Sequence, residues 1–212
     1  MPKQHQAVDM TQGDPLGLLV RFSLPLLAGN AFQQLYNMVD SWVVGNFVGT
    51  TALAAVGIGF PVIYLLSSLF MGLSIGGSVV IAQFMGAGDR EAVRRSVNTV
   101  YGAVMVSVVP LTLFGVLIAG PILHLIRVPA DVYDQAYVYL QVIFAGIIGS
   151  LGYNINAGIL QGLGDSKTPL LFLATACVVN IVLDLVFVLV FDWGVFGVAF
   201  ATIIAQLCSW IF

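Results

Sequence analysis

The chain has 212 residues, of which 59% are hydrophobic and only 8% carry a charged side chain. A soluble domain usually has about 25% charged residues, so a water-soluble fold of this length could not bury so much apolar surface. The same composition excludes disordered, collagen-like and coiled-coil chains, and the net charge of −3 gives no indication of a nucleic-acid partner.

Long uncharged stretches separate the charged residues and define the predicted membrane spans. No charged side chain lies between Asp40 and Asp89, and a single crossing needs about 20 residues. Helices are favoured over β-strands because these stretches are uniformly apolar and too long for the strands of a barrel. The sequence therefore predicts an all-α, polytopic membrane protein with a bundle of six transmembrane helices. Their predicted bounds are 16–48, 52–84, 93–119, 132–160, 168–191 and 195–212.

The distribution of Lys and Arg predicts the orientation of the bundle. A polar tail, residues 1–14, precedes the membrane domain at 15–212. If this tail is cytoplasmic, Arg127 is the one basic residue among seven that falls on the outer side. The sixth helix then ends on the cytoplasmic side at Phe212, still in apolar sequence. We therefore expect the chain to be a fragment or one half of a larger protein.

Two carboxylates, Asp40 and Asp184, fall inside predicted spans, where a charge costs at least about 2.5–3.5 kcal/mol. At about 1.5 Å per residue, Asp40, Asp184 and Thr202 all lie roughly 10–12 Å below the outer surface. Asn180 precedes Asp184 by four residues and shares its helix face. Four oxygen-bearing side chains at a similar depth predict a cation site. A plainer alternative is that both aspartates are protonated and only join helices.

The identity of the predicted cation stays open between a metal ion and a proton. Oxygen ligands suit hard cations such as Na⁺, by the same logic that applies to Ca²⁺ and Mg²⁺. Two neighbouring carboxylates in an apolar setting can also hold a proton. No other cofactor is expected.

Further polar residues in the spans predict a supporting network or a substrate cavity. One face of the first helix carries Gln33, Tyr36, Asn37 and Asp40. Asn154 and Asn156 of the fourth helix lie on different faces, so only one of them is expected to reach the cavity. Pro25 removes a backbone hydrogen bond from the first helix and permits a kink, which is either static or part of a hinge.

Two glycine pairs have the spacing of tight helix contacts. Gly72 and Gly76 lie in the second predicted helix, Gly158 lies near the end of the fourth, and Gly162 follows that end by two residues. Small residues four positions apart let two helix backbones approach closely in a membrane. Both pairs are therefore predicted to pack against neighbouring helices.

Several of these segments resemble the multidrug and toxic compound extrusion (MATE) family in order and spacing. The run Leu35–Asp40, then Val44-Gly45 and residues 52–57, resemble the first two helices of that family. Residues 83–89 resemble its loop after helix two, residues 158–169 its loop after helix four, and residues 180–184 its fifth-helix motif. The resemblance extends from about residue 13 to the end of the chain.

The resemblance implies a twelve-helix transporter made of two six-helix lobes. This chain looks like the N-terminal lobe, and its partner would be the missing C-terminal lobe. The resemblance also implies export of amphipathic, often cationic, drug-like compounds across the cell (inner) membrane while Na⁺ or H⁺ moves in. The chain is accordingly expected to be a transporter and not an enzyme.

The resemblance also assigns roles to individual residues. In prokaryotic members with this arrangement, the cation site lies on helices one, five and six of the N-terminal lobe. The positions that match it are Asp40, Asn180, Asp184 and Thr202, which form the metal site if the ion is Na⁺. An asparagine of helix four joins the network, and either Asn154 or Asn156 is its counterpart. Pro25 matches a proline at which bending of helix one has been linked to protonation in related members.

Three other functions remain alternatives at this stage. A lipid-linked oligosaccharide flippase of the same superfamily is expected to have a more basic cavity, whereas the central parts of these spans lack Lys and Arg. An intramembrane enzyme could use Asp40 and Asp184 as a carboxylate dyad, but neither lies in a GxGD-like motif. A non-transporting membrane scaffold would use both aspartates only to pair helices.

Overall fold

The structure is a computed structural model that describes residues 13–211, apart from the side chains of residues 69 and 70. All regular secondary structure in this range is helical, which confirms the predicted all-α class. The predicted tail, residues 1–14, lies outside the described residues except for its last two positions, as does Phe212.

The helices follow one another with short connections. In chain order they are α1 (Pro15–Val43), α2 (Thr50–Gly86), α3 (Arg90–Leu125), α4 (Ala130–Ala145), α5 (Ile147–Gly162), α6 (Lys167–Leu185) and α7 (Gly194–Ile211). A π-helical turn, Val44–Val48, extends α1, and a second one, Val186–Val190, extends α6. Five of these helices, with the π turns included, are long and apolar enough to cross a membrane, and α4 with α5 forms a sixth, bent span.

The prediction of one continuous helix over 132–160 was wrong. Between α4 and α5 the chain bends by 49° at Gly146. A Cβ atom at this position would collide with the Ile203 side chain of α7, so only glycine allows this close approach. The third helix is also longer than its predicted bounds of 93–119, since α3 begins at Arg90 and continues through Pro121 to Leu125.

Acidic residues start three of the helices. Asp14 accepts a hydrogen bond from the Gly17 backbone N–H at 2.9 Å, and Asp89 accepts one from Ala92 at 2.9 Å. Asp165 accepts hydrogen bonds from the N–H groups of the first turn of α6. These carboxylates accept hydrogen bonds from N–H groups that lack partners within the helix. Their negative charges also interact favourably with the positive end of the helix dipole.

The two predicted glycine contacts differ in the structure. The contact of Gly158 and Gly162 with a neighbouring helix is present, because added Cβ atoms would meet Ser74 and Ser78 of α2. A Cβ atom at Gly72 or Gly76 would meet nothing within 4 Å, so the predicted packing of that pair is wrong within the described lobe.

Packing divides the bundle into an apolar core and a polar seam. The largest buried cluster joins α2, α3, α4 and α5 and centres on Phe144 and Leu140. A second buried cluster joins the two π turns to α2 and α7 through Val44, Val188 and Val198. α1 packs mainly on α6, with Tyr36 against Leu173. The polar residues of the predicted site lie between α1, α6 and α7.

Candidate cation site and adjoining cavity

Asp40, Asn180, Asp184 and Thr202 come together from three helices. Asn180 and Asp184 are 1% and 0% exposed on α6, and Asp40 and Thr202 are buried on α1 and α7. The Asp40 carboxyl interacts with the side chains of the other three residues. The Thr202 hydroxyl lies 3.4 Å from Asp40 Oδ2 and 3.0 Å from the Val198 carbonyl oxygen, and it can donate its one hydrogen to either.

Most polar atoms of this group have no protein partner. Among the described residues, Asp40 Oδ1, both Asp184 carboxyl oxygens and both Asn180 amide atoms are buried without a hydrogen bond. Buried polar atoms are nearly always paired, because an unpaired one loses its hydration without compensation. Four of these five atoms are oxygens, so they are available to coordinate a cation or to accept a proton, whereas Asn180 Nδ2 is a donor.

The chemistry of the group suits a hard cation. Two carboxylates, an amide and a hydroxyl offer oxygen atoms, which hard cations prefer to nitrogen and sulfur. Within residues 13–211, no group of three or more His, Cys, Asp or Glu side chains could hold a metal ion. The candidate site has only two such side chains, Asp40 and Asp184, and its other oxygens belong to the neutral Asn180 and Thr202.

A cavity of ≈ 320 Å³, termed here the large cavity, adjoins the site. It lies between α1, α2, α4, α5 and α7, and Thr202 is part of its wall. Three predicted residues of α1, Gln33, Tyr36 and Asn37, also line it. Its volume is in the range of pockets that hold drug-sized ligands.

The two asparagines of the fourth span face different surroundings. Asn154 lines the large cavity, and its Nδ2 donates to the Ser150 carbonyl at 2.7 Å. Asn156 points to α7, where its Nδ2 donates to the Trp210 carbonyl at 3.1 Å. Of the two open alternatives, Asn154 is therefore the one that reaches the cavity.

Pro25 lies at a distance from this group. It is half-buried within α1, which continues as a helix through it from Pro15 to Val43. Its predicted role as a hinge stays a prediction.

The sequence analysis missed four polar residues of the large cavity: Gln34, Tyr64, Tyr139 and Gln206. With the predicted Gln33, Tyr36, Asn37 and Asn154, they give the cavity five carboxamides and three phenols. None of the residues that line it is charged. Gln206 follows Thr202 by one helical turn and interacts with Tyr36, so the i, i+4 spacing on α7 was the signal that could have found it.

The two π turns were not predicted either, and they follow the two carboxylates closely. Val44–Val48 begins four residues after Asp40, and Val186–Val190 begins two residues after Asp184. Their wider hydrogen bonds join Gly49 N to the Val44 carbonyl at 2.9 Å and Phe191 N to the Val186 carbonyl at 3.2 Å. π turns are frequent at functional sites, but the sequences of these two, VGNFV and VFVLV, carry no periodic signal that would have predicted them.

Comparisons with known proteins point to one family. A family model described as MatE matches residues 25–186. The probable multidrug resistance protein YpnP of Bacillus subtilis is 34% identical over 201 residues, which cover 95% of this chain and 45% of the relative.

Solved structures agree with this result. A MOP superfamily transporter from Pyrococcus furiosus matches with a TM-score of 0.92 and 30% identity over 99% of this chain and 46% of its own. An outward-facing multidrug resistance MATE family transporter matches with a TM-score of 0.92, 30% identity and the same coverage. The chain spans less than half the length of these relatives.

Proposed function

Since the chain belongs to the MatE family of multidrug efflux transporters, we propose that it forms the N-terminal lobe of an exporter that couples drug efflux to inward movement of Na⁺ or H⁺. Members of this family are transporters and not enzymes, and the chain is a multi-pass membrane protein. The proposed partner of the lobe is a second six-helix lobe. The proposed location is the inner membrane, with the N-terminus in the cytoplasm.

One observation carries the coupling part of the proposal. Asp40 Oδ1, both carboxyl oxygens of Asp184 and the Asn180 amide are buried at one place without a hydrogen bond to the protein. A cation bound there offsets the cost of burying two carboxylates. The neighbouring wall of the large cavity includes Thr202, so occupation of the site changes the charge next to the substrate.

Coupling then requires only that cation and drug favour different arrangements of the lobes. Binding of one Na⁺ or H⁺ offsets one of the two negative charges of the Asp40–Asp184 pair and favours the arrangement in which the two aspartates share the ion. A cationic drug favours the arrangement in which the carboxylates are free, because the charges attract each other. The cation and the drug therefore bind in turn, each to a different arrangement of the lobes.

The walls of the large cavity support drug-like compounds as substrates. Amides and phenols offer hydrogen bonds in several directions, and Phe60, Met71 and Ile143 offer apolar and aromatic contacts. A flippase of lipid-linked sugars would need cationic groups for a pyrophosphate, and the lining contains neither Lys nor Arg. This lining supports neutral and cationic amphipathic compounds.

The proposal is tested with the full-length protein in proteoliposomes, using ethidium as the probe. We expect ethidium to move against its gradient when either a Na⁺ gradient or a pH gradient is imposed with the membrane potential clamped. Ethidium transport that depends on neither the Na⁺ gradient nor the pH gradient contradicts the proposal. The gradient that drives transport identifies the coupling ion.

Thermal unfolding identifies the ion independently of transport. If the ion is Na⁺, a concentration of 100 times its dissociation constant stabilises the folded protein by about 2.7 kcal/mol. We therefore expect Na⁺ to raise the unfolding temperature while K⁺ at equal ionic strength does not. If the ion is H⁺, Na⁺ and K⁺ act alike. The Asp184→Asn variant is the control, since it removes one ligand and is expected to lose the Na⁺ effect.

The two asparagines of α5 provide a matched pair for the substrate cavity. Asn154→Ala removes a cavity amide, so we expect the KM for ethidium to rise by about fivefold to tenfold, the effect of about one hydrogen bond. Asn156→Ala breaks the bond to the Trp210 carbonyl outside the cavity, so it is expected to lower the unfolding temperature and leave KM unchanged. Equal KM values for the two variants would contradict the assignment of Asn154 to the cavity.

A further inference from the structure

A second cavity, termed here the small cavity, begins at the candidate cation site and lies between α1, α5, α6 and α7. Asn180 and Thr202 line one end of it, and Ser209 lines the other. Ser209 follows Thr202 by seven residues along α7, so the two lie about 10 Å apart along the helix axis, with Ser209 nearer the proposed cytoplasmic side. Its volume is ≈ 20 Å³, which holds one water molecule or one small ion and excludes a drug.

Most of the residues that line the small cavity have uncharged polar side chains. Amides of Asn180 and Gln206 and hydroxyls of Thr202, Tyr153 and Ser209 all contribute. Such side chains are unfavourable in a membrane span unless they face a cavity or a partner. A row of uncharged ligands attracts a cation weakly at several positions, which lets the ion advance without being trapped.

Two side-chain contacts close the inner end of the small cavity. The Ser209 hydroxyl donates to the Phe172 carbonyl at 2.9 Å, and the Tyr153 hydroxyl lies 3.4 Å from the Pro169 carbonyl. Both acceptors belong to the start of α6, which begins at Lys167. These contacts can open without breaking a helix, because each joins a side chain to a neighbouring backbone.

The two cavities share part of their walls and then separate. Ala205 lines only the small cavity and Ile203 lines only the large one, whereas six residues line both: Gln33, Tyr36, Ser150, Asn154, Thr202 and Gln206. Ala205 and Ile203 are two residues apart on one helix, so they lie at nearly the same depth. A probe at Ala205 therefore samples the small cavity, and a probe at Ile203 samples the large one.

We propose that the small cavity is the inward exit route of the coupling ion, separate from the substrate path through the large cavity, with Ser209 and Tyr153 as its gate. The inference rests on the proposed function and names the route that the ion takes after it leaves Asp40 and Asp184. The proposed ion route then leaves the shared wall past Ala205, Tyr153 and Ser209, which line only the small cavity.

The test uses Ag⁺, a monovalent cation that reacts with thiols, on the full-length protein in inside-out vesicles. Free Cys177 and Cys208, and any cysteines elsewhere in the full-length protein, are first replaced by Ala. A single cysteine is then introduced as Ala205→Cys for the small cavity or as Ile203→Cys for the large one. Thiols that remain after brief exposure to Ag⁺ are counted with a fluorescent maleimide after denaturation, so the measurement does not depend on transport.

We expect Ag⁺ added at the cytoplasmic face to modify Ala205→Cys. Adding Ser209→Ala or Tyr153→Phe is expected to speed this reaction by about tenfold, the factor that corresponds to one ordinary hydrogen bond. The reaction of Ile203→Cys is expected to stay unchanged by either gate variant.

Three results overturn the route: no modification of Ala205→Cys, a rate that neither gate variant changes, or an equal increase at Ala205→Cys and Ile203→Cys. Gradient-driven ethidium transport is measured on the same vesicles before the cysteines are exposed to Ag⁺. If transport is coupled and the thiol pattern is negative, only the route fails. If wild-type transport ignores both gradients, the proposed function fails whatever the thiols show.

Discussion

Replacing Asp40 by Asn is expected to abolish gradient-driven efflux, and so is replacing Asp184 by Asn. Each substitution removes one of the two charges that hold the proposed ion and keeps the shape of the side chain. Removing one partner from a buried ionic group costs about 3–5 kcal/mol, which corresponds to ion binding weakened by more than about 100-fold. Ethidium transport in proteoliposomes and Na⁺ or proton uptake by the purified protein measure the two effects.

The chain offers a matched control for these variants. Asp192 lies exposed in the connection between the second π turn and α7, with φ 55°, a conformation that Asn also tolerates. Asp192→Asn makes the same chemical change outside the site, so wild-type transport is expected. Wild-type coupled efflux in both Asp40→Asn and Asp184→Asn contradicts the proposed coupling role.

Loss of folding is not expected to explain the loss of transport. In the absence of the ion, the two buried carboxylates repel each other, and three of their four oxygens lack a hydrogen-bond partner. Replacing one of them by an amide removes part of this cost. The unfolding temperature in ion-free buffer is therefore expected to stay the same or rise, while stabilisation by the ion disappears.

The meeting of the site residues could be predicted because α1, α6 and α7 rise by a similar length per residue, even with the π turns that follow α1 and α6. Counting residues from the outer ends placed Asp40, Asp184 and Thr202 at one level, and the structure brings their side chains together. Rotation about the helix axis could not be predicted in the same way. Whether Asn154 or Asn156 reaches the cavity depends on how α5 packs against α7, which involves the contact with the Trp210 carbonyl.

The resemblance to the MATE family and the six spans are confirmed, but the bend in the fourth span is a property of the folded bundle. In the sequence, nothing distinguishes Gly146 from the other glycines that lie in apolar segments. It becomes a break because Ile203, far away in the chain, occupies the space of its missing side chain. Local sequence patterns carry no information on such a contact.

Substitutions in the two glycine pairs are expected to have a second large effect, on the stability of the folded protein. A Cβ atom at Gly162 would lie 2.7 Å from the Ser78 carbonyl oxygen and 3.0 Å from Ile81 Cγ2, so α2 and α5 would have to separate. Gly162→Ala is therefore expected to destabilise the protein by about 1–3 kcal/mol, as overpacked cores do. Gly76→Ala makes the same change where nothing lies within 4 Å, and Ala is favoured over Gly in a helix by about 1 kcal/mol. Thermal unfolding of the purified full-length protein measures both.

The α2–α5 seam also connects stability to the substrate cavity. Asn154 of α5 lines the large cavity, and its backbone carbonyl accepts a hydrogen bond from Ser74 of α2 at 2.8 Å. Separating the two helices at Gly162 strains this bond and displaces Asn154. Gly162→Ala is therefore expected to raise the KM for ethidium as well as lower the unfolding temperature, whereas Gly76→Ala changes neither adversely. Equal unfolding temperatures for the two variants would show that α2 and α5 are not tightly packed, and the position of Asn154 would then need another support.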